Sequence, residues 1–359
     1  MSTGPEPHPA LSTRLCRLVG VRYPIVQTGM GWVAGPRLVA ATAAAGALGI
    51  LASATMTLDE LRVAVAEVKA RTDAPFGVNL RTDAPDAADR IDLLIAESVA
   101  VASFAQAPHP DMVERLQGAG VVVIPTVGAR RHAEKVAGWG VSGVIAQGAE
   151  GGGHTGAVPT SLLLPSVVDA VGDRVAVIGA GGFTDGRGLV AALAYGASGI
   201  AMGTRFLLTE ESTVPDAVKA MYLATAVTGT VVTTRVDGAP QRVVRTPMVQ
   251  RLEGAGRMVA LPRALRNAMA FRRQVGTSLP ALWRQGRAIK EGGELTWAQV
   301  AMAANAPMMT RAALVEGRAD AGILPTGQVV GLIDELPTVA ALVSRIIEEA
   351  NAVLERLGA

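Results

Sequence analysis

The segment Gln147-Gly148-Ala149-Glu150-Gly151-Gly152-Gly153-His154-Thr155-Gly156 holds the densest chemistry in the chain. A run of glycines is costly in backbone entropy. It marks close approach of a ligand or a need for positive φ. The run ends on His154, whose imidazole can move a proton or hydrogen-bond a carbonyl near neutral pH. The other histidines have plainer settings: His8 in the tail, His109 between two prolines and His132 at a helix start. These are expected on the surface. Two further turns, Gly179-Ala180-Gly181-Gly182-Phe183 and Ala201-Met202-Gly203-Thr204-Arg205, offer backbone N–H groups and a following helix start. That pairing holds a phosphate dianion in barrel enzymes. In Gln27-Thr28-Gly29-Met30-Gly31, glycines flank a methionine where backbone can meet a flat ligand, although a tight turn has the same composition. Asn79 ends Pro75-Phe76-Gly77-Val78-Asn79-Leu80 and either hydrogen-bonds a ligand or caps the next helix. The lone cysteine, Cys16, makes neither an internal disulfide nor a metal site and reads as a small buried hydrophobe. No metal is expected.

These motifs share one position in the chain's rhythm: each follows a short β-branched run. The runs are Pro24–Thr28, Leu48–Leu51, Phe76–Leu80, Val101–Phe104, Val121–Pro125, Gly143–Gln147, Val175–Ala180 and Gly199–Gly203. They are continuously apolar, as strands buried on both faces must be. Amphipathic stretches lie between them, among them Thr57–Arg71, Asp86–Glu97, Arg130–Trp139 and Asp185–Tyr195. Thr57 with Glu60 three residues on reads as a capped helix start. Eight strands separated by single helices predict an α/β fold, a (β/α)8 TIM barrel, with its active site at the carboxyl ends of the strands. The pattern stops near Arg205–Leu208. Residues 210–330 look helical and irregular, with helices expected at Asp216–Leu223, Met248–Leu252, Ala264–Arg273 and Trp297–Ala304. The expected organisation is a barrel over 1–209, an inserted, mainly helical lid over 210–330, and a closing segment 331–359. In that last segment Val339–Leu357 serves as the eighth barrel helix.

Composition agrees with this plan. Of 359 residues, 50% are hydrophobic but only 3% aromatic, so small aliphatic side chains fill the core. The amino terminus lacks the basic and apolar regions of a signal peptide. Apolar runs break well before the ~18–20 residues a membrane span needs. A soluble, cytoplasmic protein with no membrane contact is expected, and a homo-oligomer is compatible with it. The net charge is +2, unevenly placed: Arg235 to Lys290 holds twelve Lys/Arg against Asp237 and Glu253. A solvated face is the plain explanation, and a surface for an anionic partner the functional one. Nucleic acid is disfavoured, because Phe271 and Trp283 are the only aromatics in that stretch and no base-stacking array forms. A phosphorylated small molecule fits better.

Taken together, Val26-Gln27-Thr28-Gly29-Met30-Gly31, Gly77-Val78-Asn79, the Gln147–His154 segment, Ala180-Gly181-Gly182 and Gly203-Thr204-Arg205-Phe206 resemble the nitronate monooxygenase (2-nitropropane dioxygenase) family. The resemblance spans the barrel in order and implies FMN as cofactor. By position it implies that Gly181, Gly182, Gly203 and Thr204, flanked by Ala180 and Met202, hold the phosphate. Asn79, Gln147 and Gly152 would line the ribityl chain and ring, with Thr28, Gly29 and Met30 beside them, and His154 matches the family's active-site histidine. The family includes nitronate oxidisers and enoyl-thioester reductases. Here the first loop reads Gln-Thr-Gly-Met-Gly-Trp where many members have Ala-Pro-Met. The segments Thr213-Val214-Pro215-Asp216, Thr230-Val231-Val232-Thr233-Thr234-Arg235 and Glu294-Leu295-Thr296-Trp297 resemble an actinobacterial branch acting on CoA thioesters in steroid C/D-ring breakdown.

The leading expectation is therefore an FMN oxidoreductase moving hydride to or from a bulky acyl-CoA. In it His154 handles the substrate oxygen's proton, and lid arginines such as Arg242, Arg245, Arg272 and Arg273 pair with CoA phosphates. NAD(P)H or O2 completes the cycle. The first alternative is a nitronate monooxygenase. The second is a non-redox phosphate-binding barrel using Glu150 and His154 as an acid–base pair. A non-catalytic binding module fits least, because the Gly-rich loops and His154 share one end of the barrel.

Overall fold

The computed structural model describes residues 4–254 and 305–358. The expected helices Ala264–Arg273 and Trp297–Ala304, and with them Arg272 and Arg273, lie outside the described residues. Eleven strands are described. The first six are β1 (Ile25–Gln27), β2 (Leu48–Ala52), β3 (Phe76–Leu80), β4 (Val101–Phe104), β5 (Val122–Val127) and β6 (Gly143–Gln147). They are followed by β7 (Gly153–His154), β8 (Ala176–Ala180), β9 (Gly199–Met202), β10 (Thr230–Thr233) and β11 (Gln241–Val244). All but β7, β10 and β11 close an eight-stranded parallel barrel in the order β1-β2-β3-β4-β5-β6-β8-β9. The eight expected strands are all present, with ends displaced by a residue or two. The largest shift is at β5, which continues past Pro125 to Val127 because Thr126 and Val127 still pair with Ile145 and Ala146.

Two hydrophobic layers hold the barrel. Inside it, Val26, Leu48, Ile50, Val101, Ile124, Ile145, Ile178 and Ala201 pack together. Leu15, Val19 and Val21 join the same cluster, so the helix Arg14–Val19 plugs the barrel's amino-terminal mouth. Thr13 fixes that plug by donating to the Ser198 carbonyl at 2.6 Å, just ahead of β9. Outside, the strands pack on the helical ring. Its helix Leu58–Arg71 begins at the expected cap: Thr57 Oγ1 accepts from the Glu60 N–H at 3.2 Å, and the Thr57 N–H donates to Glu60 Oε2 at 2.7 Å. The helix Val339–Leu357 buries Val339, Leu342, Val343, Ile346, Ile347, Ala350 and Leu354 along one stripe. It packs against the helices Gly186–Ala194 and Pro36–Ala44, the place of the eighth barrel helix.

The segment after β9 departs from its expected character at one point. The helices Asp216–Leu223 and Pro247–Gly254 form where helix was expected. Between them β10 and β11 make an antiparallel hairpin, which β7 extends to three strands. The reason is local: Thr230-Val231-Val232-Thr233 and Val243-Val244 are β-branched and gain from pleated packing. The hairpin and neighbouring helices share a small core of Val236, Val243, Met248, Val249, Ala306, Met309 and Ile323. Among the described residues no helix is long and apolar enough to cross a membrane, and no group of residues could hold a metal ion.

Candidate active site

The loop between β6 and β7 is anchored at several points on the barrel's carboxyl-terminal face. The Gly148 N–H donates to the Ala180 carbonyl at 2.9 Å, and Thr155 Oγ1 donates to the Gly148 carbonyl at 3.1 Å. Glu150 turns away from chemistry. Its carboxylate accepts from the Thr160 N–H at 2.9 Å and the Thr160 hydroxyl at 2.7 Å, completing the start of the helix Thr160–Val171. A carboxylate committed in this way removes the acid–base partner that the non-redox reading required.

Gly152 has a role its motif did not reveal. A Cβ there would lie 2.4 Å from the Thr326 carbonyl carbon and 2.5 Å from the Gly327 nitrogen. The missing side chain admits the backbone of a distant segment. That segment is held from both sides: the Gln328 N–H donates to the Glu150 carbonyl at 2.9 Å, and the Gly327 N–H donates to Thr204 Oγ1 at 2.9 Å. The Thr204 hydroxyl, expected at the phosphate, is thus taken up by Gly327 and by Thr326, whose hydroxyl lies 3.3 Å away. Its backbone N–H, at the first position of the helix Thr204–Leu207, stays available. Neither Thr326 nor Gly327 was marked in the sequence reading, because no motif surrounds them.

The remaining cofactor residues form two groups. Gly181 and Gly182 have φ of +98° and +82°, a conformation that strains any L side chain. A Cβ on Gly181 would press within 3.0 Å of Gly151 N and Thr160 Oγ1, whereas the nearest atom to a Cβ on Gly182 is Glu150 Cβ at 3.8 Å. The backbone at Gly182 therefore borders open space that a side chain would fill. Across the mouth, Thr28 donates its N–H to the Met202 carbonyl at 3.2 Å, and a Cβ on Gly203 would meet Thr28 Oγ1 at 3.1 Å and the Met30 sulfur at 3.3 Å. Gly29 lies against Asn79, whose amide donates to Ser103 Oγ at 3.1 Å. Gln27, which had no assigned role, is fully buried below this loop. It gives its amide N–H groups to the Thr28 and Ile50 carbonyls and leaves Oε1 without a partner. A buried acceptor without a donor calls for a ligand N–H or a water. Open space at the Gly182 turn and an unpaired buried acceptor suit a phosphorylated, ring-bearing cofactor.

His154 is fixed at its backbone and held at its ring. Gln147 Nε2 donates to the His154 carbonyl at 2.8 Å, and His154 pairs with Gln241 across β7 and β11. The ring is 63% exposed, yet Nε2 lies 2.7 Å from Oδ2 of Asp237, which is only 8% exposed. The Asp237 hydrogen bond is the largest influence on His154 and raises its pKa above the ordinary imidazole value; burial opposes it, and the Arg81 charge opposes it weakly. Burial works against ionisation of Asp237, but the His154 bond and charge and the Ala239 N–H outweigh it and hold the carboxyl below its usual range. Asp237 sits in the β10–β11 connection, 83 residues from its partner. In the sequence it stands only as one acid in a basic stretch.

Of the four expected substrate arginines, two are described. Arg242 spends its guanidinium on Thr230 Oγ1 at 3.0 Å and on the Ala149 carbonyl at 2.9 Å, tying the hairpin to the His154 loop. Arg245 has an exposed side chain.

The fold and site are those of a closed parallel barrel with two Gly-rich turns and a histidine paired with an aspartate at one end. The nitronate monooxygenase profile matches residues 12–93 and 88–349, and the chain belongs to that family. It is accordingly a flavin-dependent oxidoreductase. The protein named (3aS,4S,5R,7aS)-5-hydroxy-7a-methyl-1-oxo-octahydro-1H-indene-4-carboxyl-CoA dehydrogenase in Mycobacterium tuberculosis is 58% identical over 350 residues, covering 97% of this chain and 99% of that protein. The protein of the same name in Rhodococcus jostii is 58% identical over 349 residues, covering 97% and 98%. Among solved structures, FabK from Thermotoga maritima superposes with a TM-score of 0.80 at 34% identity, covering 96% of this chain and 98% of that one. Nitroalkane oxidase from Streptomyces ansochromogenes superposes with a TM-score of 0.75 at 26% identity, covering 96% and 99%.

Proposed function

We propose that this chain is an FMN-dependent dehydrogenase that oxidises a hydroxyl on a bulky acyl-CoA thioester of steroid C/D-ring breakdown, with residues 210–330 as its substrate-binding lid. The observation that carries the reading is the 58% identity, over 97% of the chain, to a dehydrogenase named for a hydroxylated indene-carboxyl-CoA. The backbones of Gly181, Gly182, Gly203 and Thr204 would hold the FMN phosphate, and Asn79 and Gln147 would meet the ribityl chain and ring. When bound, FMN supplies the two-electron redox chemistry. The chain supplies the proton chemistry: His154 accepts the substrate hydroxyl's proton, or returns it in the reverse direction. In the oxidising direction O2 or NAD(P)+ is the electron acceptor in this scheme, and NAD(P)H is the donor for the reverse direction. Exposed Arg245 is a candidate partner for CoA phosphates, whereas Arg242 serves the fold.

Anaerobic mixing of the yellow enzyme with a hydroxyindane-carboxyl-CoA, followed in the visible flavin band, tests the reading. Bleaching by the CoA thioester, and not by the free acid, is expected. A second reading, oxidation of alkyl nitronates with O2, has the likeness to nitroalkane oxidase behind it. It takes over if a small nitronate bleaches the flavin while the thioester neither binds nor reacts.

A further inference from the structure

Asp237 lies in the β10–β11 connection, is nearly buried, and faces the ring of the proposed proton-transfer residue. We infer that Asp237 is the positioning residue of the site: it accepts from Nε2–H of His154, fixes the ring, and leaves Nδ1 as the atom that exchanges the substrate's proton. This rests on the proposed dehydrogenase reading for the identity of the substrate, but not for the pairing itself.

The geometry is that of an oriented base. Asp237 is itself fixed, since Oδ1 accepts the Ala239 N–H at 3.1 Å while Oδ2 faces His154 at 2.7 Å. Gly238, whose N–H donates to the Thr234 carbonyl at 3.0 Å, closes the turn that presents the carboxylate. His154 Nδ1 has no partner among the described residues, and the ring's exposure leaves that edge open to a ligand. A neutral imidazole that donates from one nitrogen presents a lone pair on the other. When the substrate O–H bond breaks, its proton forms the Nδ1–H bond. The resulting imidazolium then lies against a carboxylate already in place to stabilise it, the logic by which an acidic residue serves a catalytic histidine. The flavin's redox step is separate from this proton exchange.

The charged groups acting on the ring among the described residues are Asp237 from the hairpin and Arg81 from the loop after β3. Arg81 is itself paired with Asp83 at 2.6 Å. From the other sides, the neutral amide of Gln147 reaches only the His154 backbone, and Gln241 is the cross-strand neighbour. Of these two, Asp237 alone is hydrogen-bonded to the ring, so its removal should alter most how the ring titrates.

The experiment uses FMN-loaded wild type, Asp237→Asn and Asp237→Glu, with His154→Ala to assign the signal. In substrate-free holoenzyme, NMR titration of the His154 ring should place its midpoint above the ordinary ~6.5 in wild type. The midpoint should be lower in Asp237→Asn and largely restored in Asp237→Glu. Flavin content should stay equal in all of them. With the CoA thioester, the rising limb of kcat/KM against pH should move to lower pH in Asp237→Asn, and the plateau should fall about 10-fold or more, a part of the 10²–10⁴ a general base supplies. An unshifted His154 midpoint in Asp237→Asn, or a wild-type midpoint at or below the ordinary value, overturns the inference. Because the titration needs no substrate, a failed thioester reaction with a shifted midpoint condemns the substrate assignment and leaves the pair standing.

Discussion

Replacing Gly152 by alanine separates two meanings of a glycine in a flavin site. A methyl group there would sit 2.4 Å from the Thr326 carbonyl carbon, 2.5 Å from Gly327 N and 2.9 Å from Thr326 Cα. All three are backbone atoms, so no side-chain rotation relieves the overlap and the 326–327 segment must move. Overpacking of this kind costs about 1–3 kcal/mol. The displaced segment also carries the Gly327–Thr204 and Gln328–Glu150 hydrogen bonds, each contributing ~1 kcal/mol. A total near 3–5 kcal/mol, at roughly 2 °C per kcal/mol for a chain of this size, lowers Tm by about 6–10 °C. The assay is thermal unfolding followed by far-ultraviolet circular dichroism, on flavin-free and FMN-loaded protein. The decrease should appear in both forms, because the contact is between two parts of the chain. Gly182→Ala is the control: its Cβ meets nothing closer than 3.8 Å, and its φ of +82° adds strain on the order of 1 kcal/mol. It should weaken FMN binding more than it lowers the flavin-free Tm. An unchanged flavin-free Tm in Gly152→Ala together with lost FMN would refute the packing account and return Gly152 to the ligand.

Three further outcomes follow from the site. The purified protein should be yellow and release FMN on denaturation, and Gly182→Asp should lose flavin, since a carboxylate would enter the open space beside the phosphate turn; a colourless wild type that cannot be reconstituted with FMN contradicts this. His154→Ala should keep its flavin and turn over ~100-fold more slowly or worse, the loss expected for a general base; unchanged turnover with the CoA thioester would make His154 a structural loop residue. Arg245→Gln, Arg272→Gln and Arg273→Gln should raise KM for the thioester more than they lower kcat, with wild-type KM rising steeply with ionic strength. Arg242→Gln should instead lower Tm, because its two hydrogen bonds join the hairpin to the His154 loop. The assignment of Arg245 fails if its variant matches wild type at every salt concentration.

The barrel was legible because a strand buried on both faces must be continuously apolar, and helices between such strands announce their starts, as Thr57 and Glu60 do. Strand ends were less legible. Whether Thr126 and Val127 still belong to β5 depends on Ile145 and Ala146, not on their own side chains. The β7 strand could not be read at all: Gly153, at a φ of +65°, and His154 have little strand propensity, and they join the sheet because Arg242 and Gln241 pair with them. The hairpin was nearer to view, since its β-branched residues stood in the sequence, but a helical frame on either side obscured them. His154 itself was singled out by its glycine neighbours. Its partner was not, since an aspartate distant in sequence acquires meaning only when the chain folds back. Glu150 had the opposite fate: proximity to His154 suggested acid–base work, while its carboxylate belongs to Thr160.

His154 belongs to two structures at once, the loop that leaves β6 and the small sheet that carries Arg242. In most barrels of this kind the loops vary independently, so specificity can drift while the reacting groups stay put. Here that independence is curtailed. Exchanging residues 230–244 for the corresponding hairpin of a relative would replace the residue against the His154 ring and the strand that pairs with it. If Asp237 positions His154 as proposed, selection for a new acyl group must pass through sequences that keep Asp237 and the Gln241–His154 pairing, which narrows the routes open to the lineage. Laboratory chimeras made at these junctions should retain flavin yet lose turnover, unless the aspartate travels with the graft.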